Sequence, residues 1–226
     1  MSVSFYSETE LQLSGDRSGT TGNDDHIKNP LNVVCIVNGP IRGNAYVVWE
    51  TNHPSQAILI DPGEEETKVY DEIQKRGLTI RHIYLTHGHS DHSSCIGRLQ
   101  SLIGVVPVHI HTADAYMIRS YVEKAQEMGL TLQILPLRHN EAITVGDRVG
   151  KCLYSPGHTM GGMCFLFDRV LFSGDTLFFH GVGRTDLKGG DHQKLIATLG
   201  HLRKLAPSTF VLCGHNRPTT IFEELY

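Results

Sequence analysis

Seven residues, T-H-G-H-S-D-H from Thr86 to His92, place three imidazoles and a carboxylate directly after the apolar run R-H-I-Y-L. The run from Ile80 to Leu85 reads as a buried strand. Polar groups at the mouth of a buried strand are costly unless something holds them, and a bound metal ion is the usual holder. Strand residues two apart point the same way, so His87 and His89 can face one ion. Asp91 and His92, on the first turn of the next helix, then offer a second set. Four candidate ligands in six residues exceed what one tetrahedral site draws from one segment, which points to two adjacent ions.

The same arrangement recurs along the chain. S-P-G-H-T puts His158 after the strand Cys152 to Tyr154, L-F-S-G-D-T puts Asp175 after Val170 to Phe172, and V-L-C-G-H puts His215 after Phe210 to Leu212. A glycine precedes each of the three, permitting the sharp turn that presents a side chain at a strand end. L-I-D-P-G places Asp61 similarly. Any one of these alone is ordinarily a cap or turn residue, but the set together points to one shared site.

Around these points the chain reads as an α+β protein. V-V-C-I-V, A-Y-V-V-W and A-I-L-I are three sequential strands, and a helix spans Glu64 to Arg76, with Gly77 as its stop. One helix is expected from about Asp91 to Leu102, then the strand V-P-V-H-I, then a helix from Ala113 to Met128. Short strands follow, with helices over His192 to Leu205 and Thr220 to Tyr226. Two batches of strands, each followed by helices, imply two sheets face to face with helices outside. Leu11 to Asn29, rich in Ser, Gly, Thr, Asn and Asp, reads as a loop or loosely held arm. Residues 1–30 are thus an N-terminal arm or loop and 31–226 a single domain, as 226 residues allow. The formal charge of -4, with no basic block, speaks against a nucleic-acid partner. No apolar run is long enough to span a membrane. No signal peptide is visible, and five widely spaced cysteines fit a reducing compartment, so the cytoplasm is expected.

The order His87, His89, Asp91, His92, then His158, Asp175 and His215, resembles the metallo-β-lactamase superfamily, whose signature is H-x-H-x-D-H followed by a distant His, Asp and His. The resemblance implies an αββα sandwich with metals at the strand-end edge. It implies that His87, His89 and His158 hold one ion, that Asp91, His92 and His215 hold the other, and that Asp175 bridges them. Asp61 would orient histidine ligands by hydrogen bonding. The zinc β-lactamases that give the family its name usually carry Cys at the Asp175 position and lack the second motif histidine. The acidic and imidazole choices here, with S-G-D-T-L-F, C-G-H and G-V-G-R-T-D, are similar to hydrolases of the glyoxalase II type.

That branch implies two Zn2+ per chain, with iron or manganese as alternatives, and hydrolysis of acyl thioesters by a metal-bridging hydroxide that Asp91 orients or deprotonates. A thioester suits such a site because its leaving thiolate needs little acid help. The carrier would be glutathione, coenzyme A or an acyl carrier protein, since short single-domain members include hydrolases associated with polyketide assembly lines. The substrate end departs from the glyoxalase II pattern. Arg184 stands in the Lys place and Asp186 in a Tyr place, Arg217 replaces a second Tyr, and 11 residues past His215 leave no room for the glutathione-binding helical domain. Arg184 and His180 are the candidate substrate contacts, Arg184 competing with a loop-fixing ion pair to Asp186. G-V-G-R-T-D equally resembles the persulfide dioxygenase branch, which would use one iron on His87, His158 and Asp175. Cys213 reads as a packed strand residue, and His109 and His111 as ordinary strand histidines.

Overall fold

The computed structural model of the chain describes residues 2–7, 10–14 and 31–226, with side chains from Leu31 onward. Alternation along the strands sets the layers. In β4 (Gly43–Glu50), Ala45, Val47 and Trp49 face one side while Tyr46 and Val48 face the other. In β5 (Ala57–Ile60), Ala57 and Leu59 separate from Ile58 and Ile60 in the same way. Both faces of the sheet are therefore apolar, and each must be covered.

One face packs on α1 (Glu66–Lys75), α3 (Ile96–Ile103) and α4 (Arg119–Glu127) through Val69, Ile73, Ile96, Leu99 and Ala125. The other meets the second sheet, where Tyr46 packs edge-on to Phe172 and Tyr84 to Phe165. Burying each such side chain stabilises by roughly 1.5–3 kcal/mol. The outer face of the second sheet closes on α5 (His192–Leu202) and α6 (Ile221–Leu225) through Leu171, Val211, Leu202 and Ile221. The expected αββα sandwich is present.

The first sheet has eight strands in sequence order: β1 (Ser2–Ser7), β2 (Glu10–Ser14), β3 (Leu31–Asn38), β4, β5, β6 (Ile80–Tyr84), β7 (Val108–His111) and β8 (Ile134–Leu137). The second runs β16 (Thr219–Thr220), β15 (Phe210–Cys213), β12 (Val170–Gly174), β11 (Met163–Phe167), β10 (Arg148–Tyr154) and β9 (Ala142–Val145). A small hairpin joins β13 (Leu177–Phe178) to β14 (Gly181–Val182). β5 and β6 are parallel, as are β12 and β15, while β10 and β12 flank β11 antiparallel to it. The strands that precede candidate ligands thus end at shared edges. Among the described residues no helix is long and apolar enough to cross a membrane.

Three expectations need correction. The loop reading of Leu11 to Asn29 fails at its start, because Leu11–Ser14 lies in β2, with Leu11 opposite Val33 and Leu13 opposite Leu31; residues 15–30 lie outside the described ones. The single helix from Asp91 to Leu102 is two, α2 (Ser90–Ser93) and α3. The break has a cause: Cys95 N–H donates to the Gly63 carbonyl, and Gly63 N–H to that of His92, so bonds that would continue the helix go to the D-P-G turn. The helix over Ala113 to Met128 opens with a 3-10 turn, Ala115–Ile118, before α4.

Candidate metal centre

All seven sequence-derived ligands converge where the two sheets meet. His87 and His89 follow β6, and Asp91 and His92 occupy α2. His158 follows β10, Asp175 follows β12, and His215 follows β15. Backbone bonds hold the sheets together at this edge: Met163 N–H donates to the Thr86 carbonyl at 2.8 Å and Asn44 N–H to that of Gly214 at 2.7 Å. Gly174, with φ +49°, turns the chain so that Asp175 enters the site; a Cβ there would collide with the Thr86 side chain.

Two candidate ligand sets form. In the first, His87, His89 and His158 bring ring nitrogens together, with His89 Nδ1 2.9 Å from His158 Nε2. In the second, Asp91, His92, Asp175 and His215 converge. Asp91 Oδ2 lies 3.2 Å from His92 Nε2 and 3.1 Å from His215 Nε2. Asp175 reaches both sets, with Oδ2 3.5 Å from His158 Nε2 and 3.6 Å from His215 Nε2, and Oδ1 3.3 Å from His92 Nε2.

The outer nitrogens decide which imidazole nitrogen is left bare. His92 Nδ1–H donates to Asp61 Oδ2 at 3.1 Å, and His158 Nδ1–H to the Arg184 carbonyl at 2.8 Å. His215 Nδ1–H points to the Arg42 carbonyl at 3.3 Å. Thr86 gives its hydroxyl proton to Asp61 Oδ2 at 2.6 Å, so at 3.0 Å it accepts from His87 Nδ1–H. In each of the four, Nε2 keeps its lone pair toward the cluster. His87 Nε2, His92 Nε2 and Asp175 Oδ1 are buried with no hydrogen bond, a state that normally costs about 1–3 kcal/mol per group. Lone pairs and carboxylate oxygens aimed at one another are what a divalent cation satisfies, so the residues fit the metals that the motif implies.

Charge tells the same story. Burial, helped by His92, His158 and His89, pushes His87 well below the usual imidazole range. Burial also opposes a charge on His92, but Asp175, Asp61 and Asp91 outweigh it and hold its pKa well above that range. Burial resists ionisation of Asp91 and Asp175 too, yet the surrounding imidazoles, His215 and His92 on Asp91 and His92 first on Asp175, hold both well below the usual carboxylate range. The cluster calls for positive charge at its middle, and cations there would replace the His92 proton.

The outlying candidates behave differently. Asp61, 2% exposed, stands behind the candidate ligands: besides His92 Nδ1–H it accepts Thr86 N–H at 2.7 Å. Arg184 is exposed and its guanidinium is bidentate with Asp186 at 2.8 and 2.7 Å, while its backbone carbonyl orients His158. His180 is exposed on the β13–β14 turn, its ring against Phe179 and its backbone N–H donated to Glu224 Oε2. Arg217 lies over the Phe179 ring at 3.6 Å. Cys213 is buried and its thiol is pushed up to about 12 by burial, which removes it as a nucleophile. His109 and His82 are hydrogen-bonded to each other at 3.0 Å, away from the seven ligands. The sequence offered no signal for the Arg42 and Arg184 carbonyls; Thr86 could have been found as the neighbour of His87.

Residues 38–215 match the family model described as Metallo-beta-lactamase superfamily. Hydroxyacylglutathione hydrolase GloC of Haemophilus influenzae is 31% identical over 203 residues, which cover 86% of this chain and 95% of GloC. The probable polyketide biosynthesis zinc-dependent hydrolase PksB of Bacillus subtilis is 28% identical over 161 residues, 71% of this chain and 67% of PksB. Among solved structures, TTHA1623 in a di-iron-bound form aligns with a TM-score of 0.73 and 34% identity, over 84% of this chain and 96% of that one.

Proposed function

From a chain that belongs to the metallo-beta-lactamase superfamily, we infer a hydrolase that cleaves acyl thioesters at two divalent cations, zinc by preference. The observation that carries the two-cation reading is the pair of converging ligand sets with Asp175 reaching both. The di-iron form of TTHA1623 supports the count of two and leaves iron beside zinc as the metal. His87, His89 and His158 would hold one cation and Asp91, His92 and His215 the other, with Asp175 between. Bound there, the cations would acidify a water and polarise an acyl carbonyl.

The chain's own groups do the rest. The Asp61–Thr86 pair keeps His87 and His92 in one tautomer, and the two backbone carbonyls do so for His158 and His215. Asp91, beside His92 and His215 and partly reachable from the rim, is the group placed to orient a nucleophilic water or take its proton. The name of GloC supports a glutathione thioester, and that of PksB supports zinc and a role in polyketide biosynthesis. Arg184 reaches an anionic carrier only by releasing Asp186. All five cysteines are free, in keeping with the cytoplasm as the setting.

The test is thiol release from one acyl chain carried on glutathione, on coenzyme A and on an acyl carrier protein, with zinc-loaded protein. Turnover of any of the three supports the reading, and their ranking names the carrier. Hydrolysis of none, with opening of a β-lactam or oxygen consumption on glutathione persulfide instead, would overturn it. The last result would favour a single iron on His87, His158 and Asp175.

A further inference from the structure

Asp114 is 1% exposed and belongs to no ion pair among the described residues. Its carboxyl group accepts two hydrogen bonds, from Thr159 Oγ1 to Oδ2 at 2.6 Å and from Gly161 N–H to Oδ1 at 2.8 Å. Both donors follow His158, one and three residues on, in the loop after β10. A Cβ at position 161 would stand 2.5 Å from Asp114 Cγ, so only glycine lets the backbone close on the carboxyl. The backbone of the same residue lies close to the segment that carries the other two histidines of the first set. Gly88, between His87 and His89, packs so closely that a Cβ on it would stand 3.0 Å from the Asp114 carbonyl oxygen.

A buried carboxyl with no cation beside it is expensive, and a hydroxyl or amide could pin a loop without that cost. What a neutral amide cannot do is accept two converging donors, one on each oxygen. We propose that Asp114 is a positioning residue for the cation held by His87, His89 and His158, clamping the His158 loop to the segment beneath Gly88. It fixes the separation at which His158 Nε2 faces His89 Nδ1, 2.9 Å. The second set, Asp91, His92 and His215, comes from segments that the carboxyl group does not touch, so its influence is selective for one of the two positions. This inference rests on the two-cation reading.

The experiment starts from full-length protein stripped with a chelator, titrated with Co2+ and followed by calorimetry and the visible spectrum of the bound ion. Reference variants His158→Ala and His215→Ala mark the two positions. Asp114→Asn is expected to weaken the three-histidine position about 10–100-fold, as loss of a ligand-orienting partner does, and to leave the other unchanged, so that its titration tracks His158→Ala. Thr159→Val, which removes one of the two donors, is expected to show a smaller weakening at the same position and none at the other, beside the lower unfolding midpoint that loss of a buried hydrogen bond gives its metal-free form. Equal weakening at both positions, no change at either, or a titration that tracks His215→Ala would overturn the role. A wild-type chain that takes up no cation overturns the metal reading itself, a failure visible before any variant is made.

Discussion

At the scale of single residues, Asp61 shows how much a non-ligand can matter. It sits at φ +49° at the end of β5, a conformation that Asn also tolerates, so Asp61→Asn changes the charge and leaves the backbone preference nearly alone. An amide cannot accept from Thr86 N–H, Thr86 Oγ1–H and His92 Nδ1–H together, because one of its atoms is a donor. Zinc affinity is therefore expected to fall about 10–100-fold, read by competition with a chromogenic chelator; an unchanged affinity would remove Asp61 from the site. His109 carries a pH prediction. Burial, with His82 alongside, lowers its pKa to about 4 from the usual 6.5. The unfolded chain thus binds this proton more readily, so the stability tied to neutral His109 is full above pH 6.5 and is lost as pH falls towards 4. His109→Phe keeps the stacking on Tyr84, 4.6 Å between ring centroids, and is expected to flatten urea-derived stability between those pH values. A slope as steep as wild type would show that His109 does not set it.

At the scale of elements, the strand ends make the site, and they were also what the sequence displayed. β6, β10, β12 and β15 are each followed within four residues by a candidate ligand that Gly or Thr immediately precedes, so local chemistry and position coincide. The pieces that escaped prediction depend on partners far along the chain. The α2–α3 break is imposed by Gly63, and nothing in S-D-H-S-S-C announces it. β8 forms on I-L-P-L beside β7, and its proline obscures the strand pattern. β2 hides in a polar stretch because only Leu11 and Leu13 mark its alternation. Asp114 meets donors 45 and 47 residues away, beyond any local pattern. Gly174→Ala tests the strand-end argument. A left-handed alanine costs about 1–2 kcal/mol, and its Cβ would displace Thr86, the hydroxyl that orients His87. Lower stability together with weaker metal binding is expected from denaturation and chelator competition; a loss of stability alone would separate the turn from the site.

At the scale of the whole molecule, four ligands come from the first sheet's side, His87, His89, Asp91 and His92, and three from the second's, His158, Asp175 and His215. The sheets also share a core around Tyr46, Tyr84, Phe165 and Phe172, so apolar burial holds them together beside the seam. Cations at the seam would bind the folded chain in preference to the unfolded one, where the candidate ligands are scattered over about 130 positions. Binding then adds RT ln(1 + [L]/Kd) to stability, about 4 kcal/mol at a thousandfold excess over Kd. For a chain of this size that corresponds to roughly 8–16 °C in Tm. The expected outcome is a Tm that falls on chelation and climbs with the logarithm of added zinc. His89→Ala and His215→Ala, each removing a ligand from a different set, should each keep part of the climb. A Tm indifferent to zinc over several decades would mean that the seam closes on hydrogen bonds alone, His89 Nδ1 to His158 Nε2 among them.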